Sequence, residues 1–407
     1  MSSFGMGRTR KGNTRNRILG LIRRAGKISK QDIKKTTQYS MVTVLTAIDD
    51  LLEQGLVFYS EKGVTSSGRR PTYISLNPEG GFFLGLSFNA AEASAVIIDY
   101  CGGVRDFAAL PFSPDNLSVE YALTKSSELI RGMLQRNEDK KDRLIGIGIG
   151  APGYLDDRGT SIFYSHIPGW QNVDLKDFFS DALDCGNIFI EQNTNSMALA
   201  YKWLKPEYME KNYAIINIST GIRMSFVVNG MLYKGKSFIA GEIGHIRANR
   251  GSRFCPCGRQ GCLDTEISET AIRLRMLEGI RGGRFASVWK AAGENANLLE
   301  IASFIQGAKE FDPDCIALLD DICDHLGDAL TQIVNILNPE SIIITARLCE
   351  LGDAFFDRIK KNINERAIFV ALDNFEIIPD SFGKRLAAIG AAAVVMENEL
   401  DYVDALI

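Results

Sequence analysis

Gly241-Glu242-Ile243-Gly244-His245, then Cys255-Pro256-Cys257-Gly258-Arg259-Gln260-Gly261-Cys262-Leu263-Asp264, sets one imidazole and three thiols on a short stretch. These are the nitrogen and sulfur ligands of a tetrahedral zinc site, and four protein ligands leave no open position for a substrate. The expected Zn2+ on His245, Cys255, Cys257 and Cys262 is therefore structural, pinning a loop whose Gly and Pro content builds no core of its own. Three of the eight Cys fall within eight residues here and the other five are scattered, which argues against chance clustering. Without a secretory segment, disulfides are disfavoured too. Glu242 and Asp264 flank the ligands. With one ring nitrogen of His245 on the metal, the other faces outward beside two carboxylates, an arrangement for holding hydroxyls rather than for acid–base work.

The run A-G-E-I-G-H followed by C-x-C-G-x-x-G-C-L-[E/D] resembles the signature of the ROK family, which contains bacterial sugar kinases and sugar-responsive transcriptional repressors. The resemblance implies sugar contacts from Glu242, His245 and Asp264. Asp264 stands where Glu is usual, so its reach is one methylene shorter.

Composition bounds the rest. The 407 residues, 45% apolar and 24% charged, suffice for two or three domains of ordinary size. No apolar run approaches the ~20 residues that span a bilayer, and the start lacks a signal-type apolar region, so a cytoplasmic protein is expected. The net charge of −4 hides an asymmetry: residues 1–80 hold fourteen Lys+Arg against six Asp+Glu, and the remainder is acidic. A basic head on an acidic body means that the head alone approaches a polyanion.

Residues 1–12 read as a flexible basic tail and 13–77 as a winged helix-turn-helix. Ile18, Leu19 and Ile22 share one helical face, Gly26 stops it, Ser29 caps a short helix, and a longer one runs from Ser40 to Gln54, ended by Gly55. Two apolar runs around Glu61-Lys62-Gly63 form the wing. Gln38, Ser40 and Thr43, at the front of the third helix, are the candidates for base edges, and Arg15 and Arg17 for phosphates. Ser67-Gly68-Arg69-Arg70-Pro71 resembles the G-G-R-x-P stretch of ROK repressors, with Arg69 and Arg70 placed to enter a minor groove or clamp phosphates.

The composition shifts near residue 78, and 78–407 reads as the effector-binding body. Strands and helices alternate so as to give an α/β body, and the resemblance implies two lobes of the actin-like, hexokinase-type (ribonuclease H-like) fold. Lobe one is expected over about 82–205 and lobe two over about 212–385, with the zinc loop at 245–262 and a closing helix at 385–400. No internal repeat is visible in the sequence. A small ligand is expected in the cleft between lobes.

In ROK kinases the segment E-N-D-A-N supplies the general base. Here it reads Glu191-Gln192-Asn193-Thr194-Asn195, with Asn193 at the base position. An amide binds a hydroxyl but cannot take its proton at neutral pH. The glycines that let backbone N–H groups approach phosphates are lost as well: Leu86-Ser87-Phe88-Asn89-Ala90, Ser219-Thr220-Gly221-Ile222-Arg223-Met224-Ser225 and Thr345-Ala346-Arg347 stand where the family has its Gly-rich loops. The resulting expectation is no catalytic residue and no ATP, with Gly153, Gln192, Asn193, Glu242, His245 and Asp264 left to bind ligand. Trp170, after Pro168-Gly169, reads as a packing anchor, and His325 with Cys323 as no metal site.

The leading expectation is a sequence-specific regulator, a repressor, of carbohydrate genes. It binds a double-stranded operator as a homodimer or homotetramer, responds to a sugar or sugar phosphate, and carries no enzymatic activity. The alternatives are a sugar kinase with a DNA-binding head, and a repressor switched by a partner protein.

Overall fold

The computed structural model describes residues 10–62, 72–89, 91–113, 116 and 118–400. Arg69 and Arg70 lie outside these residues. The chain divides into one unit of residues 1–210 with 384–407 and a second of residues 211–383.

The first unit begins with α1 (Arg10–Ala25), β1 (Lys27–Ser29), α2 (Lys30–Thr37), α3 (Met41–Glu53), β2 (Val57–Lys62) and β3 (Thr72–Leu76). The cap at Ser29 is the expected one, and Ser40 at the start of the longer helix is a second. Ser29 Oγ accepts from Asp32 N at 3.2 Å and Ser40 Oγ from Thr43 N at 3.1 Å, satisfying donors that a helix start leaves open. Gln38, at φ 58°, closes α2 by donating its N–H to Lys34 O. Ile18, Leu19, Ile22, Ile33, Val44, Ile48 and Leu51 are buried together with Val57 and Ile74 of the strands. Two details depart from expectation. Helix α1 starts at Arg10, so residues 10–12 of the expected tail are helical. Lys27–Ser29, too short to show alternation, pairs antiparallel with β3 and makes the sheet three-stranded, in order β1-β3-β2.

The same unit continues through β4 (Phe82–Phe88), β5 (Glu92–Asp99), β6 (Val104–Pro111), α4 (Val119–Arg136), β7 (Leu144–Ala151), the short strands β8 (Tyr154–Leu155), β9 (Ser161–Tyr164) and β10 (Val173–Asp174), then α5 (Leu175–Leu183), β11 (Ile188–Gln192) and α6 (Asn193–Leu204). Its main sheet has the order β11-β7-β4-β5-β6, antiparallel among β4, β5 and β6 and parallel from β4 to β7 to β11. Trp170 is buried and packs on Phe88 with ring centres 5.6 Å apart, as an anchor should.

The second unit contains β12 (Tyr213–Ile218), β13 (Ile222–Val228), β14 (Met231–Leu232), α7 (Asp264–Ile267), α8 (Glu269–Arg281), α9 (Ala286–Ala291), α10 (Ile301–Lys309), α11 (Pro313–Leu337), β15 (Ser341–Ala346), α12 (Asp353–Arg366) and β16 (Glu376–Pro379). Its sheet order is β14-β13-β12-β15-β16. Three antiparallel strands are followed by two that add in parallel beside the first, as in the main sheet of the first unit. The topology is thus repeated although the sequence is not.

The closing helix α13 (Leu386–Glu399) belongs to the first unit, to which it returns after the second is complete. The glycines of β4 and β7 explain its seat. A Cβ on Gly85 would lie 2.1 Å from Ala388 O, and one on Gly148 would lie 1.8 Å from Ala391 O. Only a bare backbone lets the helix approach so closely. No described helix is long and apolar enough to cross a membrane.

Candidate functional site

In the second unit, the segment after β14 turns back onto β13. Gly241 has φ 96°, and a Cβ there would lie 1.8 Å from Met224 O, whereas Met224 N donates to Gly241 O at 2.8 Å. Glycine is therefore required to bring Glu242 and His245 against the strand. His245 Nδ1 lies 3.7 Å from Cys255 Sγ, Cys257 Sγ lies 3.6 Å from Cys262 Sγ, and the four ligand atoms all fall within 4.8 Å of one another. Metal–ligand bonds of about 2.0–2.3 Å imply tetrahedron edges of roughly 3.3–3.8 Å, so the set fits one divalent soft-ligand ion. Burial, and then the neighbouring thiols, pushes Cys262 up to about 12, and burial raises Cys255, whereas the Arg259 N–H holds Cys257 below its ordinary value. With no cation Cys255 and Cys262 stay protonated, so binding a metal here would release those protons.

Glu242 and Asp264 are not idle beside this cluster. Arg223 on β13 forms an ion pair with Glu242, Nη1 to Oε1 at 2.9 Å. Asp264 Oδ1 accepts the N–H of Ile222 at 2.6 Å, tying the first turn of α7 to the start of β13. A Cβ on Gly244 would lie 2.5 Å from that same Oδ1. Glu242, His245 and Asp264 thus converge on the N-terminal end of β13. The Arg223 pair was not legible in the sequence, because nothing local says which carboxylate a strand arginine will reach.

In the first unit, Asn193 opens α6 directly after β11. Its Oδ1 accepts from Ser87 Oγ at 2.8 Å and its Nδ2 donates to Phe88 O at 3.1 Å. The second bond requires an amide, since a carboxylate would set an acceptor against a carbonyl. Gly150 leaves room for it, because a Cβ there would lie 2.4 Å from Asn193 Oδ1. Gln192 is buried, and Glu191 Oε1 receives both its N–H and Asn195 Nδ2. Gly153 packs against the β9 backbone, where a Cβ would lie 2.6 Å from Tyr164 O. His325 is buried on α11 with Nε2 3.6 Å from Asp321 Oδ2, and converges with no described cluster of metal-ligand type.

On the head, Gln38 and Ser40 are exposed and Thr43 is half-buried, its hydroxyl 2.8 Å from Ser40 Oγ. Arg15 and Arg17 are half-buried, and the Arg17 guanidinium lies over the Tyr39 ring at 5.6 Å. The outward face of α3 instead carries Val42, 73% exposed, with Thr46 one turn on. The helical spacing 42, 46, 49 could have shown this face, but an apolar residue invites assignment to the core.

The model of the ROK family matches residues 119–398, more than half of the chain. The chain belongs to the ROK family. Among relatives of this ROK protein, a xylose repressor of Caldicellulosiruptor bescii is 25% identical over 380 residues, covering 92% of this chain and 93% of its own. A glucokinase of Halalkalibacterium halodurans is 28% identical over 319 residues, covering 78% of this chain and 96% of its own. A crystal structure of a ROK family transcriptional regulator, a homologue of the E. coli Mlc protein, superposes with a TM-score of 0.80 at 22% identity. It covers 96% of this chain and 97% of that one, and shows the shared fold. Against that fold, this ROK chain carries Arg223 in an ion pair and Asn193 in a two-sided amide cross-link.

Proposed function

We propose that this chain is a DNA-binding transcriptional repressor of carbohydrate genes whose body senses a sugar or sugar phosphate and does not phosphorylate it. The single observation that carries the choice of sensor over kinase is the Asn193 side chain, which donates to Phe88 O where catalysis would need a proton acceptor. The regulatory part is supported by the basic head, by α3 capped at Ser40 with its outward face exposed, and by the near full-length likeness to a xylose repressor.

His245, Cys255, Cys257 and Cys262 would hold one structural Zn2+, fixing the loop that carries the hydroxyl-binding groups. Glu242, His245 and Asp264 in the second unit, and Gly153, Gln192 and Asn193 in the first, are the groups proposed to meet the effector. Gln38, Ser40 and Thr43 would read bases, while Arg15, Arg17, Arg69 and Arg70 would hold phosphates. Helix-turn-helix proteins read paired half-sites, so the working form would be a cytoplasmic homodimer or homotetramer.

Selection of duplexes from a random-sequence pool by the full chain should return a two-fold symmetric site, with affinity falling steeply as salt rises. A melting screen with D-xylose, D-glucose and their phosphates should find a stabilising ligand, since one at a hundred times its Kd adds about 2.7 kcal/mol. Sugar-dependent ADP release by the parent chain would overturn the reading in favour of a kinase with a head.

A further inference from the structure

Arg23 comes from α1 of the head, yet it is only 6% exposed because it is buried in the body. Its Nη2 donates to Tyr100 O at 2.6 Å, and its guanidinium lies 5.4 Å from the Tyr100 ring centre and 5.9 Å from that of Trp203. Tyr100 sits at the β5–β6 turn and stacks on Phe83, while Trp203 is in the last turn of α6. A planar cation held against two aromatic rings and a carbonyl is fixed in orientation as well as position. Arg24 adds a second tie, to Glu210 at 2.8 Å.

The Trp203 wall is itself held. Trp203 Nε1 donates to Glu397 Oε2 at 2.6 Å, and the buried Lys202 donates to both Glu397 oxygens at 2.8 and 2.7 Å. Nearer its start, α6 lies against α13 so closely that a Cβ on Gly390 would meet the Ser196 backbone at 2.5 Å. The helix begins at Asn193 and is buried along most of its length, so its two ends, roughly 18 Å apart, cannot shift independently.

We propose that Arg23 is a positioning residue that couples α6 to the head: displacement at the Asn193 end of α6 is delivered through Trp203 to Arg23 and resets α1. Its use as an effector relay rests on the regulator reading above, whereas the mechanical coupling does not. A ligand that pulls on Asn193 or Gln192 strains the Ser87 and Phe88 bonds, and α6 moves as a rod with α13. Packed interfaces have discrete arrangements, so a small shift is passed on rather than absorbed.

The test is hydrogen exchange on the full chain, without DNA or sugar. Peptides covering α1 are followed in the parent, Asn193→Asp, Arg23→Lys and the double variant. Asn193→Asp should speed α1 exchange at least threefold in the parent background and leave it unchanged in the Arg23→Lys background, because lysine keeps the charge but loses the planar stack. The same cycle with Trp203→Phe approaches the contact from the body side should Arg23→Lys not fold. No effect of Asn193→Asp on α1, or an equal effect in both backgrounds, overturns the coupling. Failure to bind DNA or any sugar would refute the regulator reading and leave this result standing.

Discussion

Arg223 and Glu242 face one another across the start of the loop that carries His245 and the three cysteines, guanidinium to carboxylate at 2.9 Å, each side chain about one-fifth exposed. A carboxylate expected to accept sugar hydroxyls is already neutralised by a strand arginine. Replacing Arg223 by Met should destabilise the second unit by about 1–3 kcal/mol, between the ranges for exposed and buried pairs. Glu242→Gln should abolish the melting shift given by the stabilising sugar while costing less stability, because an amide can still face Arg223. Denaturant titration and the melting screen separate the two outcomes.

Asn193→Asp removes the donor to Phe88 O and sets a charge against a carbonyl. A loss of about 1–3 kcal/mol is expected, with no appearance of sugar-dependent ADP release. Restoring a carboxylate supplies at most a proton acceptor, whereas phosphoryl transfer depends mainly on positioning and charge stabilisation of the phosphates. Calorimetry with ATP and a coupled ADP assay on both forms check this.

Anaerobically prepared protein should contain about one zinc per chain by elemental analysis. Cys262 is 2% exposed and faces both Cys257 and His245, so Cys262→Ser should lower the melting temperature more than Cys257→Ser. Chelation should remove the difference between the parent and either variant.

The head can be dissected by residue. Ser40→Ala should cost about 1 kcal/mol through the lost cap on α3. Val42→Ser, at an exposed apolar position suited to a thymine methyl, should change sequence preference in a repeated duplex selection with little effect on stability. Arg15→Ala should instead weaken all duplexes alike and flatten the salt dependence.

One carboxylate gives a pH signature. The Arg284 guanidinium, and then the Phe285 N–H, hold Asp314 below the usual carboxylate range, with both contacts at 2.7 Å. Phe285 sits at φ 56°, a conformation that a non-glycine residue keeps only when its surroundings impose it. A depressed folded pKa means that the contribution is present above the unfolded value and is lost as pH falls through the folded one. Asp314→Asn should therefore destabilise at pH 7, and its cost should shrink as pH falls below the ordinary carboxylate range, as read by denaturant midpoints.

What the sequence by itself determined is local or carried by residue type. The cap at Ser29, the helix start at Ser40, the stop at Gly55, most strands of both sheets and the His245, Cys255, Cys257, Cys262 set were legible because each signal lies within a few residues of its effect. Tertiary structure decided what depends on partners far along the chain. It set the repeated strand order of the two units, which conserves topology without conserving side chains. It also set the return of α13 to the Gly85 and Gly148 backbone, the pairing of Lys27–Ser29 with β3, the Arg223–Glu242 pair, and the seat of Arg23 against Tyr100 and Trp203. A three-residue strand or a single arginine has too little intrinsic preference to announce its partner, and only the packing that closes those long loops selects it.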